Sequence, residues 1–121
     1  MMKCVFCSIV AGELPCRKIF EDDKTLAILD IADDVDGHIL VLPKTHVESV
    51  LDCDSKTLDA VMRTVQTVSK HLTTIGYDGV NILNASGKAA DQSVPHLHFH
   101  LIPRRFGDNL NTWPTLPGAI P

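Results

Sequence analysis

Long hydrophobic runs are missing from this chain. No uninterrupted apolar stretch approaches the ~20 residues that span a bilayer, and the run from Ile39 to Leu42 stops at Pro43. A membrane span is therefore not expected. Lys3 followed by residues 4–12 imitates a short secretory leader, but Glu13 arrives early and no small-residue cleavage site follows, so the cytoplasm is the expected compartment. Basic residues are scarce: 11 Lys and Arg stand against 15 Asp and Glu, giving a net charge of -4. Only Arg104-Arg105 forms a basic run, whereas a grip on nucleic acid needs a basic face that displaces counterions, so nucleic acid is not an expected partner. Cysteine is limited to Cys4, Cys7, Cys16 and Cys53. That is too little for a disulfide framework at this length, and the close Cys4/Cys7 pair points to metal or redox chemistry in a reducing compartment. Internal repeats, low-complexity tracts and Gly/Ser linkers are absent as well.

What remains is 121 residues, 45% apolar and 21% charged, the composition of one small globular domain. The expectation is a single domain over residues 1–121, with 104–121 as an extended tail that is Pro-rich from 112 onward. A chain this short buries only about two thirds of its unfolded surface, so a metal staple or a second copy would add useful stability.

Val5, Phe6, Ile9 and Val10 have helical spacing, and Gly12 with Pro15 supplies a stop, which predicts a short helix. Residues 17–21 read as an edge strand, Asp22-Asp23-Lys24 as a turn, and 25–31 and 38–42 as buried strands around a loop at 33–37. From Lys56, the residues Leu58, Val61, Met62, Val65, Val68, Leu72 and Ile75 fall on one helical face, with Asp54 or Ser55 as a cap and Gly76 as the close. A strand follows at 80–84, then a polar loop at 85–93, then strict alternation over 96–102 closed by Pro103. Strands with one long and one short helix predict an α+β domain on an antiparallel sheet of about five strands.

The chemistry concentrates in His96-Leu97-His98-Phe99-His100-Leu101. Alternate residues of a strand share a face, so three of the chain's six histidines would stand in a row about 7 Å apart, with Leu97, Phe99 and Leu101 packed behind. His71, on the polar side of the long helix, reads as an ordinary surface residue. Desolvating three imidazoles is costly unless each has a partner, which makes the row a functional feature. Two chemistries fit: a neutral imidazole attacking an electrophilic phosphorus or carbonyl, or two or three histidines holding a catalytic ion with an open position. The loop before the row favours the first, because its small residues let backbone N–H groups approach an anion and it ends in Gln92 and Ser93 as further donors. Cys4 and Cys7 keep three readings open: a redox pair, two inert thiols, or half of a zinc site.

The segment Gln92-Ser93-Val94-Pro95-His96-Leu97-His98-Phe99-His100-Leu101-Ile102-Pro103 resembles the motif of the histidine triad (HIT) nucleotide-binding proteins. The likeness extends through Cys4-Val5-Phe6-Cys7, Ala11-Gly12-Glu13, residues 19–23, Leu29-Asp30-Ile31 and Gly37 to His46, a pattern similar to the Hint branch. This resemblance implies a HIT fold whose sheet continues across a homodimer. It also implies hydrolysis of purine nucleoside 5'-phosphoramidates or acyl-AMP through a covalent nucleotidyl-histidine intermediate. By position, His98 would be the nucleophile, His100 would bind the phosphate, His38 would support the imidazole row and Ser93 would donate toward the phosphate or leaving group. Asn84 would order the loop, Asp30 would take the ribose hydroxyls, and Val5, Phe6, Ile9, Leu14, Ile28 and Ile31 would clamp the base. The Cys4/Cys7 pair would be completed by His46 and His96 into a structural zinc site, one per chain, with no organic cofactor. Two departures stand out: Asp91 occupies a position where glycine is common in the family, and the segment before Trp113-Pro114 differs. A nucleotide-sensing module with weak catalysis, or a metal-dependent hydrolase using the triad histidines, are the alternative readings.

Overall fold

The computed structural model describes residues 4–30 and 37–113. Five strands form one antiparallel sheet in the order β1-β2-β3-β5-β4: β1 Lys18–Glu21, β2 Thr25–Leu29, β3 Ile39–Pro43, β4 Gly79–Leu83 and β5 Phe99–Arg104. Helix α1 spans Val5–Val10 and helix α2 spans Ser55–Thr74. The α+β expectation therefore holds, with one short and one long helix.

Alternation along β3 and β5 divides the core in two. Ile39, Val41, Phe99 and Leu101 face α2 and pack with its Val61, Val65, Val68 and Leu72. Leu40 and Leu42 face the other way, with Leu26, Ile28 and Phe6 of α1. Full burial of each such aliphatic side chain stabilises by about 1.5–3 kcal/mol, so the α2 stripe is what holds the long helix on the sheet. A buried hydrogen bond between the Thr64 and Thr25 hydroxyls, 2.6 Å, fixes its position along β2. Asp54 rather than Ser55 caps α2, its side chain accepting from the Thr57 amide at 3.2 Å. Met62 and Ile75, expected on the buried stripe, are 40% and 56% exposed. They lie at its margin, where the sheet no longer covers the helix.

Three boundaries differ from the sequence reading. The triad segment is not all strand: β5 begins at Phe99, and His96 sits in a bend. Pro95 lacks an N–H, and the next amides are used locally, His96 N–H donating to Val94 O (2.8 Å) and Leu97 N–H to Val47 O (2.7 Å). Pro103 does not close the strand, because it pairs with Val80 and β5 continues to Arg104. Nor do residues 105–113 trail away from 104: they turn back, held by Arg104. Ile31 and the tail beyond Trp113 lie outside the described residues. Among the described residues no helix is long and apolar enough to cross a membrane.

Candidate active site and metal centre

Because β3 and β5 are antiparallel neighbours with Leu40 opposite His100, residues 38, 98 and 100 converge on the sheet face away from α2. The approach to His38 depends on Gly37, whose φ of 74° is left-handed. A Cβ there would lie 3.1 Å from Tyr77 Oη and 3.3 Å from Pro103 Cγ. Only glycine meets both conditions. The ring of His38 then meets its partners edge on: Nε2 is 2.9 Å from His100 Nδ1, and Nδ1 is 3.4 Å from Asp30 Oδ2. Asp30 is drawn in by its own amide, which donates to the His38 carbonyl at 2.8 Å.

His98 is 4% exposed, and its ring centroid lies 5.0 Å from that of His100. Its Nδ1 donates to the His96 carbonyl at 2.8 Å, which assigns the ring proton to Nδ1 and leaves a lone pair on Nε2. Burial pushes the imidazole below the ordinary histidine range and so favours the neutral ring, against the opposing pull of its bond to the His96 carbonyl and of the Asp30 carboxylate. Phe6 packs edge-to-face on it at 5.0 Å.

The loop between β4 and β5 is stapled from inside. Asn84 Nδ2 donates to the His98 carbonyl (3.0 Å), and Ser86 Oγ donates to Asn84 Oδ1 (2.9 Å). Gln92 accepts from the Gly87 amide through Oε1 (2.8 Å) and donates through Nε2 to the Val94 and Glu48 carbonyls. Expected as a donor to a phosphate, the Gln92 side chain is instead engaged by the loop's own backbone, which needs those partners because its groups are withdrawn from the sheet. Asp91 has φ 64° and caps the Lys88–Ala90 turn with its side chain exposed, and the Ser93 side chain is exposed at the same rim. Of the apolar clamp residues, Phe6 and Ile28 are buried, Ile9 is half-buried, and Val5 and Leu14 are 41% and 43% exposed.

His96 belongs to a different cluster. Its Nε2 donates to the Pro43 carbonyl at 2.8 Å, so Nδ1 carries the lone pair. That atom lies 3.4 Å from Cys4 Sγ, 3.6 Å from Cys7 Sγ and 3.2 Å from His46 Nδ1, and Cys7 Sγ is 3.2 Å from His46 Nδ1. Four ligands arranged tetrahedrally at zinc distances of about 2.0–2.3 Å would be roughly 3.3–3.8 Å apart, so the observed set fits zinc closely. The donor set, two thiols and two imidazoles, is also that of a closed structural site. Cys4 sits there because it caps α1, its Sγ accepting from the Cys7 amide. Among the described residues the three triad histidines share no single metal-sized group: His96 lies with the cysteines, His100 with Asp30 and His38, and His98 with neither. Cys16 and Cys53, read as ordinary thiols, are free and outside both groups.

Sequence reasoning missed the role of Arg104, seen only as half of a basic run. Its guanidinium grips Asp108 with two bonds of 2.8 Å and reaches Asn81 Oδ1 at 2.6 Å. The signal was Asp108 four residues on, beyond the turn at Gly107.

Comparison with known proteins places this arrangement. The family model described as HIT domain matches residues 11–107. An adenosine 5'-monophosphoramidase of Schizosaccharomyces pombe is 38% identical over 119 residues, covering 96% of this chain and 86% of that protein. An uncharacterized HIT-like protein of Borreliella burgdorferi is 46% identical over 107 residues, 86% of this chain and 77% of that one. The crystal structure of a zinc-bound histidine triad family protein from Mycobacterium smegmatis superposes with a TM-score of 0.87 at 42% identity, covering 92% of this chain and 81% of that chain.

Proposed function

This chain belongs to the HIT domain family, and on that premise we propose that it hydrolyses purine nucleoside 5'-phosphoramidates, or acyl-nucleotides, through a nucleotidyl intermediate on His98. The observation that carries the proposal is the 2.8 Å bond from His98 Nδ1 to the His96 carbonyl, which leaves Nε2 of a buried, neutral imidazole as a nucleophile. That nitrogen attacks the α-phosphorus, a P–N bond forms to the histidine, and the bond to the leaving amine breaks as its nitrogen takes a proton. Water then attacks the nucleotidyl-imidazole, releasing the nucleoside monophosphate and restoring His98.

The surrounding residues support each stage. His38 orients the His100 ring through its Nδ1, and His100 would bind the phosphate. The Ser93 hydroxyl and loop amides add donors where charge develops, and Asn84 and Gln92 keep that loop in shape. Asp30 is the acceptor for ribose hydroxyls, and Phe6, Ile9 and Ile28, with the more exposed Val5 beside them, form the apolar side on which a purine would rest. Zinc, held by Cys4, Cys7, His46 and His96, would act structurally, fixing α1 and the segment before β5. It lies outside the chemistry because its four ligand positions are filled by protein. The support for a homodimer is the outer edge of β4, where Ile82 and Leu83 are 46% and 38% exposed. A cytoplasmic location agrees with the thiol-based metal site.

The test measures release of AMP from adenosine 5'-phosphoramidate by wild-type protein and by His98→Ala, with AMP binding on the same samples. The expected result is turnover that falls at least about a thousandfold in the variant while binding is kept. Near-normal turnover in His98→Ala overturns the assignment of the nucleophile. AMP binding with no release by either protein would favour a nucleotide-sensing module.

A further inference from the structure

We infer that the cavity running off His100 beneath residues 110–112 is the leaving-group subsite, and that it selects uncharged, largely apolar substituents on the phosphate; the inference rests on the hydrolase reading above. The cavity holds about 400 Å³. His38 and His100 form one end, Leu83 and Ile102 line the sheet side, and the returning tail contributes Leu110 and Thr112. Leu83 is paired with His100, and Ile102 is the next residue on the same face of β5, so the floor continues from the phosphate-binding imidazole itself.

Its position assigns it to the leaving group rather than to the nucleoside. Phe6, Ile9, Ile28 and Asp30, the residues of the base and ribose reading, do not line it, whereas both imidazoles beyond the nucleophile do. Along the chain entering and running through β5 the order is His98, His100, Ile102. A group displaced in line by His98 Nε2 leaves on the side away from His98, which is the side of Ile102 and the tail.

Its chemistry sets the class of substituent. Among the described residues lining the cavity there is no carboxylate, ammonium or guanidinium. A charged substituent would lose hydration there without gaining an opposite charge, whereas alkyl or aryl carbon gains by burial against Leu83, Ile102 and Leu110. The neutral amides of Asn84 and Asn111 also line the cavity, and the Thr112 hydroxyl there is buried without a partner among the described residues, so its polar groups beyond the two imidazoles are uncharged.

The wall is built into the fold. Arg104 Nε and Nη2 bind the two oxygens of Asp108, and Nη2 also donates to the Leu110 carbonyl. Asp108 in turn accepts from the Leu110 amide at 2.9 Å and the Arg105 amide at 3.1 Å. Leu110 is thus gripped at both its backbone groups by one planar, bidentate pair. Arg104 is a positioning residue: it sets the wall without touching the phosphate.

The test compares AMP carrying an N-butyl phosphoramidate with AMP carrying its N-(4-ammoniobutyl) counterpart, which differ in terminal charge. Turnover is measured with wild-type and Leu110→Asp proteins, and binding in the His98→Ala background with and without the Leu110 change. The wild type is expected to favour the butyl compound by about tenfold or more in kcat/KM and in affinity, a discrimination of the size a hydrophobic pocket supplies. Leu110→Asp should abolish or invert that ratio. Leu110 is 36% exposed, so the variant should fold, and Leu110→Ala should lower the ratio several-fold as a check. Turnover without discrimination, or a ratio unmoved by Leu110→Asp, overturns the subsite and leaves the hydrolase reading intact. Discrimination in binding with no turnover of either compound overturns the hydrolase reading and supports the subsite. Failure to bind either compound overturns both.

Discussion

Removal of the metal tests the coupling between the Cys/His cluster and the rest of the fold. Three separate segments meet there: α1 through Cys4 and Cys7, the turn after β3 through His46, and the stretch before β5 through His96. With only six residues, α1 is far below the ~12–15 residues at which an isolated helix becomes marginal in water, so it depends on Phe6 and on this cluster. Without a cation, the fully buried His96 retains its bond to Pro43, and its Nδ1 exchanges the metal for the weaker thiol contacts of Cys4 and Cys7 and for His46 Nδ1 at 3.2 Å. Zinc present at 1,000 times its dissociation constant stabilises the folded state by about 4 kcal/mol. For a domain of this size that is roughly 12–20 °C in melting temperature. Calorimetry of the protein as purified, after stripping with dipicolinate and after return of one equivalent of zinc should show this loss and its recovery. Cys7→Ser should melt low under all three conditions. Turnover should follow the fraction folded, since zinc enters no step. A stripped protein that melts within about 2 °C of the loaded one refutes the structural role. Restored turnover that depends on which metal is returned, at equal stability, refutes the separation of metal from chemistry.

Two further outcomes are expected. Asp91→Gly should change turnover by no more than about threefold, because the carboxylate faces solvent and exposed substitutions of this kind alter free energies by about 0.5 kcal/mol; a tenfold gain in AMP release would mean that Asp91 repels the phosphate. Hydrogen bonds and charge from Lys18 and Lys44 hold the Glu21 carboxyl down to about 2, well below its ordinary 4.5. Because the folded value is the lower one, the contribution of Glu21 is present above pH 4.5 and is lost as pH falls toward 2. Melting curves of wild type and Glu21→Gln should therefore differ near neutrality and converge in acid, and a gap that widens on acidification refutes the linkage.

Much of this architecture is written locally. The spacing of Val61, Val65, Val68 and Leu72, with Asp54 before them, specifies α2, and the apolar runs of β2 and β3 specify strands buried on both faces. Misreadings arose where distant partners decided. Met62 and Ile75 obey the helical period yet lie beyond the sheet's cover, and His96 obeys the strand period yet lies in a bend because Val47 and Val94 take the neighbouring backbone bonds. Gln92 has the right chemistry for an anion but is occupied by Gly87, Val94 and Glu48.

By itself, then, the sequence determined the elements, the separation of apolar from polar faces and the types of residue available for chemistry, since periodicity and side-chain chemistry are properties of short segments. The motif resemblance added roles that spacing alone could not assign. Tertiary structure alone decided which nitrogen of His96 and of His98 carries the proton, through the carbonyls of Pro43 and His96. It also decided that His38 meets His100 across two strands, and that Arg104 folds the tail back beside them. Those outcomes depend on contacts between residues far apart in the chain, and a hydrogen bond of that kind exists only once both partners have been brought within reach.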